Sequence, residues 1–382
     1  MKSPLLLGIE THFASVNDPR QYGKVDHPLI NIIFITLCGV LCGADDWVAI
    51  TDFAQAQAEW LAKYLDLKNG LPSHDTLGRT FAFIDREEFQ QGFLSWMSSV
   101  SQLIAGVVAI DGKQLRRSHD KGIGKEAIHM VSAWSVANGL VLGQRKVDEK
   151  SNEITAIPLL LEALDLTGCI VTIDAMGCQR EIAQQIVEQE GDYVLSLKGN
   201  QGQLHKDVVA MFDYFEGIAF KEIDHDYHKT VNKGHGRLEI RECWVFEPAP
   251  WSDYFRTLDK WAGLQSVVMI RSQRQEGEKI TSETRYFIAS LAAQAAKILQ
   301  TARHHWGIEN ELHWVLDVAF NEDQSRVRQG YAAENLAVIR HLVLNLLSQE
   351  QSHKVGKKNK RLRCAWDVEY REKVLSGFAA LC

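Results

Sequence analysis

In the segment RHHWGIENELHWVLDVAFNEDQSRVR, residues 303–328, His305, Glu309 and His313 recur at i, i+4 and i+8, which sets them along one side of a helix. Trp306, Leu312, Val315 and Leu316 supply the apolar positions, so the segment reads as helical at least as far as Phe320. A carboxylate flanked by imidazoles has two readings. Glu309 is solvated or paired on a helix edge, or it belongs to a site that gathers ionisable groups for chemistry. Two aspartates far upstream favour the second.

Asp111 closes the apolar run 104–110, with Gly112 allowing a turn after it, and Asp174 closes the run 169–173. Each alone is an ordinary turn or cap residue. With a glutamate on a later helix they meet the needs of metal-dependent phosphodiester cleavage. Hard Mg²⁺ ions take oxygen ligands, and two of them about 3.5–4 Å apart clamp the attacking and leaving oxygens. Asp111 and Asp174 are the expected bridging and first ligands and Glu309 the third. Glu311 is the weaker candidate, since it points about 200° around an α-helix from Glu309. Beside three carboxylates, His305 and His313 are expected to contact DNA or support the ligands rather than bind zinc.

These residues need a scaffold. Residues 104–110, 128–136 and 140–147 read as three strands, the last two joined at Ala137-Asn138-Gly139, where Asn-Gly signals a hairpin. A helix at about 157–164, a strand at 169–173, a helix to about 189 and a strand at 192–197 follow, leading into Lys198-Gly199-Asn200-Gln201. Strand, strand, strand, helix, strand, helix, strand is the order of the ribonuclease H-like fold, in which the first and fourth strands are neighbours. That adjacency would bring Asp111 and Asp174 together. The expected class is α/β: a ribonuclease H-like mixed sheet over 101–348 with a mainly β insertion at about 203–285, preceded by an all-helical N-terminal domain, 1–98. Strands at 238–246, 265–271 and 284–288 are expected in the insertion. In the helical region, Asn69-Gly70-Leu71-Pro72 and Ser73 separate two helices, which form a plain bundle or a helix-turn-helix presenting Arg79 to DNA. Residues 349–382 read as a basic tail, with six Lys/Arg between Lys354 and Arg363, either a phosphate-binding arm or a solvated run.

Composition sets the outer limits. With 382 residues, 46% hydrophobic and 24% charged, the chain is long enough for two or three domains and too apolar for wholesale disorder. A net charge of -7 argues against a uniformly basic nucleic-acid binder but leaves room for local basic surfaces. Cys38, Cys42, Cys169, Cys178, Cys243, Cys364 and Cys382 show no CxxC spacing, which fits free thiols in a reducing compartment. The opening MKSPLLLGIE is too weakly apolar for a secretory signal, and the run 29–44 falls short of the ~20 residues of a membrane span.

The segments VAIDGKQLRRS, KSNEITAIP, VTIDAMGCQ, DYVLSLKGNQ and HHWGIENELHWVLDVAFNEDQSR resemble bacterial insertion-sequence transposases with a DDE catalytic triad, most closely the H-repeat-associated transposase-like proteins. The resemblance covers nearly the whole chain, the helical N-terminal region included. It implies that Asp111 in IDGK, Asp174 in TIDAMGCQ and Glu309 in HHWGIEN are the catalytic and metal-binding residues. It further implies two Mg²⁺ ions, with Mn²⁺ as a substitute, and a cytoplasmic, nucleoid-associated enzyme that cuts and joins double-stranded DNA at element ends and target, as a homodimer. The alternative is a non-catalytic or immobile DNA-binding relic, and a nuclease without strand transfer shares the same residues. In the wider group a tyrosine, an arginine and a lysine frame the glutamate and hold phosphates; the corresponding positions here are Ala302, His305 and Leu316. His305 or Arg303 is the expected replacement. Further candidate DNA contacts are Lys113, Arg116 and Arg117 after the first aspartate, Lys198, Asn200 and Gln201 after the fifth strand, and Arg326. Trp306 and Trp314 are stacking platforms or core residues. Gly122-Ile123-Gly124-Lys125 lacks the spacing of a phosphate loop.

Overall fold

The computed structural model describes residues 4–21, 23, 25–99, 106–119, 126–147, 152–234 and 236–377. Ile104 and the Gly122–Lys125 stretch therefore lie outside the described residues. The chain divides into two compact units, one of residues 1–104, 112–150 and 309–382, the other of 105–111 and 151–308.

In the first unit six helices come first: α1 (Pro4–His12), α2 (Leu29–Leu41), α3 (Trp47–Ala56), α4 (Ala58–Leu61), α5 (His74–Phe83) and α6 (Arg86–Ser99). Ser73 starts α5 as expected, its Oγ accepting from the Thr76 N–H at 3.2 Å. The apolar run in α2 is buried from Asn31 to Leu41. No helix among the described residues is long and apolar enough to cross a membrane. A later helix, α12 (Ala332–Gln349), is buried along its whole length from Ala332 to Ser348 and packs against α2, α5, α6 and β3 (Leu140–Lys146). A helix buried on every side must satisfy its own polar residues. Asn335 donates to the carbonyls of Phe81 and Ile84 at 2.9 and 3.0 Å, and Asn345 pairs with both the N–H and the C=O of Val141 at 2.8 and 2.9 Å. The β2 (Ile128–Ser135) to β3 hairpin turns through Gly139 at φ 61°, a conformation that costs glycine least.

The basic run does not form a free arm. It builds α13 (Lys357–Trp366), followed by α14 (Val368–Gly377), and two of its cations are interior. Lys360 donates to the carbonyls of Leu347 and Glu350, while Arg361 donates to the carbonyls of Val40 and Ala319 and to Asp45. Lys354 and Lys358 remain exposed. Counting charges along the sequence could not separate these two pairs.

The second unit is built on strands and helices: β4 (Cys169–Ile173), β5 (Asp192–Leu197), β6 (Asp226–Gly234), β7 (Arg237–Phe246), β8 (Ser266–Glu276) and β9 (Lys279–Ala289), with α7 (Glu153–Glu162), α8 (Arg180–Glu188), α9 (Gly202–Gly217) and α10 (Ala295–Gly307). β1 (Gly106–Leu115) is common to both units, and the strand order is β3-β2-β1-β4-β5-β9-β8-β7-β6, a mixed sheet. β1 and β4 pair in parallel, as do β4 and β5, whereas β6 to β9 form an antiparallel ribbon. Three features differ from the sequence expectation. β1 does not end at Asp111 but continues to Leu115 without a turn at Gly112. The insertion opens with a sixteen-residue helix, α9 (Gly202–Gly217). It also contains β6, a polar edge strand whose DYHKTVNKG sequence lacks a buried face.

Candidate active site

The register of β1 against β4 places the two aspartates. Ala109 pairs with Thr172 and Ile110 with Ile173, the last pair of the ladder, so Asp111 and Asp174 are the residues that follow that pair on the two neighbouring segments. Side chains alternate along a strand, and paired positions in a parallel ladder share a face. Asp111 is therefore on the face of Ala109 and Thr172, while Asp174 opens the turn just past the end of β4. Both are partly exposed, unlike the four residues before Asp111.

That face is covered by α10. Ala295, Ile298, Leu299 and Ala302 form its buried stripe against Val194, Val245, Val268 and Ala289. Continued by one turn, the stripe reaches His305, whose Nδ1 lies 3.2 Å from the Thr172 hydroxyl. Burial pushes the His305 pKa below its usual 6.5, Asp174 and the Thr172 bond pull it back, and Arg285 assists the lowering. The neutral ring thus stands on the Asp174 side of the sheet. Trp306 is exposed and lies under the Arg285 guanidinium at 4.7 Å, a cation–π contact rather than a core position.

Asp174 is held by its own turn. Its Oδ1 accepts from the N–H groups of Met176 at 2.9 Å and Gly177 at 3.2 Å. At position 177 a Cβ would stand 2.3 Å from Ile173 Cγ2 and 2.9 Å from Ile157 Cδ1, so the turn requires glycine. Asn200 and Gln201 brace the same turn: Asn200 donates to the Ala175 carbonyl at 2.5 Å, Gln201 to the Cys178 carbonyl at 2.8 Å. Their amides, expected to touch DNA, are engaged within the protein. Lys198 beside them is exposed.

Glu309 follows immediately after α10. The helix does not run straight to Phe320: residues Ile308–His313 form a π-helical turn before α11 (Trp314–Phe320). Its i→i+5 bonding breaks the i, i+4, i+8 alignment of His305, Glu309 and His313, a phase change that apolar spacing alone did not reveal. Glu309 and Glu311 are exposed, Leu312 is buried and His313 partly so.

Within the first unit, Lys113 is committed to acids. Two residues beyond Asp111 and on the same face of β1, its ammonium donates to Asp317 at 2.5 Å and Glu322 at 2.9 Å, and reaches the His313 carbonyl, the end of the π turn, at 3.5 Å. Its side chain is only 12% exposed. The expected phosphate contact is thus an internal tether. Burial raises the Glu322 pKa, but Lys113 and Arg340 outweigh this and bring it down to about 2. Beside it, burial lowers His341 to about 4. The sequence reading missed Asp317 and Glu322; the signal was the acid-rich VLDVAFNED run after the glutamate. Arg116 is exposed and pairs with Asp323 at 3.2 Å, Arg117 and Arg326 are exposed, and Arg303 is exposed on α10.

Among the described residues no three His, Cys, Asp or Glu side chains form a group able to hold a metal ion. Asp111 and Asp174 each follow the last β1–β4 pair, and their oxygen donors match a hard divalent cation in type.

Comparison with known proteins gives the family of the chain. The family described as Transposase DDE domain matches residues 103–346, and the DDE_Tnp_1-associated family matches residues 10–97. "Putative transposase YncI" of Escherichia coli O157:H7 is 44% identical over 97% of this chain and 95% of its own length. "H repeat-associated putative transposase YhhI" of Escherichia coli K12 is 42% identical over 96% of this chain and 97% of its own length. A solved piggyBac transposase synaptic complex with hairpin DNA overlaps 100% of this chain and 81% of that one at 9% identity, but its TM-score of 0.44 is too low to carry weight. On the matched domain and these near-full-length relatives, the chain belongs to the DDE transposase family.

Proposed function

We propose that this protein cuts DNA at the ends of a mobile element and joins the freed 3′ ends to a target, with Asp111, Asp174 and Glu309 as the catalytic carboxylates of a ribonuclease H-like domain. The observation that supports this reading is the parallel β1–β4 register, whose last pair, Ile110 with Ile173, immediately precedes the first two carboxylates. Divalent ions, Mg²⁺ or Mn²⁺ in its place, would supply a clamp on the attacking and leaving oxygens. The chain's own part is positioning. The Met176 and Gly177 N–H groups fix Asp174, Asn200 and Gln201 steady its turn, and His305 adds a neutral ring beside it. Lys198, Arg116, Arg117, Arg303 and Arg326 are exposed and suited to phosphates of double-stranded DNA, bound by a homodimer at the nucleoid.

A second reading, an immobile DNA-binding relic, draws on the framing positions: Ala302 and Leu316 are buried where the wider group carries a tyrosine and a lysine. The deciding experiment incubates the protein with DNA from the flanks of its own coding region and Mg²⁺, and scores nicked and joined products. Wild type is expected to give both, Asp111→Asn neither. Nicking by Asp111→Asn at the wild-type rate would remove the carboxylate assignment, and DNA binding without products from wild type would favour the relic.

A further inference from the structure

Beside the α10 stripe that packs on the sheet, the helix borders a groove that the carboxylate chemistry does not use. Together with the edge strand β6 it encloses about 640 Å³, and the polar lining is His228, Thr230, Lys297, Gln300, Arg303 and His304. Strand alternation explains the lining. Asp226 Oδ2 caps α10 by accepting from the Ala295 N–H at 2.8 Å, which turns Asp226, His228 and Thr230 towards the helix. No carboxylate lines the groove, in a chain whose net charge is -7. The Thr230 hydroxyl is shielded from solvent and has no hydrogen-bond partner among the described residues, a buried donor that calls for an acceptor. As the last strand of the sheet, β6 also has one backbone edge without a strand neighbour.

Spacing separates a single anion from a chain of them. Lys297 and Arg303 are six residues apart on α10, about 9 Å of helix, a distance that covers two to three phosphates at about 3.4 Å of rise each. The same helix carries His305 to the Asp174 side of the sheet one turn later. We propose that the β6–α10 groove binds the phosphodiester backbone of a DNA duplex and leads it along α10 towards Asp174. The proposal names a substrate track for the transposase reading and rests on that reading for the identity of the polyanion.

The test measures duplex binding by the full chain in rising salt, by fluorescence anisotropy, for wild type, the double variant Lys297→Glu with Gln300→Glu, and Lys221→Glu. All three positions are exposed, so charge reversal spares the core, and Lys221 lies outside the groove. The double variant is expected to bind about tenfold or more weakly, with the salt slope flattened by about 1, while Lys221→Glu stays within about twofold of wild type. Undiminished binding by the double variant, an equal loss in Lys221→Glu, or no duplex binding by wild type overturns the groove. Nicking, read in parallel with Asp111→Asn, keeps the two proposals apart. Asp111-dependent nicking with groove-independent binding rejects the groove alone. Groove-dependent binding without Asp111-dependent nicking rejects the cutting chemistry alone.

Discussion

Lys113 shows how much a side chain's partners matter beyond its type. Two residues after the aspartate proposed as catalytic, a lysine suggests a phosphate contact, yet this one lies among Asp317 and Glu322, the latter 2% exposed. Lys113→Met would leave buried Glu322 with Arg340 as its remaining ion-pair partner at 3.5 Å, and the expected loss is about 1–3 kcal/mol of stability, read by urea denaturation. A change in DNA affinity with unchanged stability would contradict this. The same cluster fixes a pH dependence. His341 is depressed from 6.5 to about 4, so its contribution is complete above pH 6.5 and lost as pH falls towards 4. Glu322, lowered from 4.5 to about 2, contributes above pH 4.5 and loses that contribution as pH falls towards 2. Thermal midpoints should therefore fall from pH 6.5 downward in two stages, and the upper stage should be absent in His341→Gln. A wild-type midpoint that is flat between pH 6.5 and 4.5 would speak against it.

At the scale of elements, what was legible followed from hydrophobic pattern. β4 and β5 match their sequence ranges because each is an apolar run bounded by turn residues, and the adjacency of β1 and β4 was implied by element order. Other features gave no such signal. β1 continues through Asp111, Gly112 and Lys113, which form no apolar run, and polar β6 is recruited at the sheet edge by β7. The π turn leaves the apolar spacing intact on either side, so only backbone geometry exposes it. Of the proposed site, the three carboxylates are proposed from type and order in the sequence, whereas the brace from Asn200 and Gln201 depends on tertiary placement. The turn that carries Asp174 gives a direct test. Gly177→Ala would press a methyl onto Ile173 and Ile157, at an expected cost of about 1–3 kcal/mol. Nicking should fall in the same variant, since Asp174 Oδ1 accepts from the residue 177 N–H. A variant as stable and as active as wild type would show that the turn tolerates the methyl.

On the scale of the whole molecule, the chain combines a helical unit built around the fully buried α12 with a strand-rich unit in which α10 packs on the sheet and carries His305 to Thr172. Its family membership rests on near-full-length relatives, and the proposed chemistry rests on the adjacency of β1 and β4, whose last pair precedes Asp111 and Asp174. The most direct measurement is therefore Mg²⁺-dependent nicking of flanking DNA by wild type, Asp111→Asn and Asp174→Asn, each first shown to fold by its thermal midpoint. The account predicts nicking by wild type that chelation abolishes, and at least a ~10³-fold loss in both variants, as expected when an essential ligand of a metal-assisted displacement is removed. Metal-independent cutting, or either folded variant nicking within about tenfold of wild type, would contradict it.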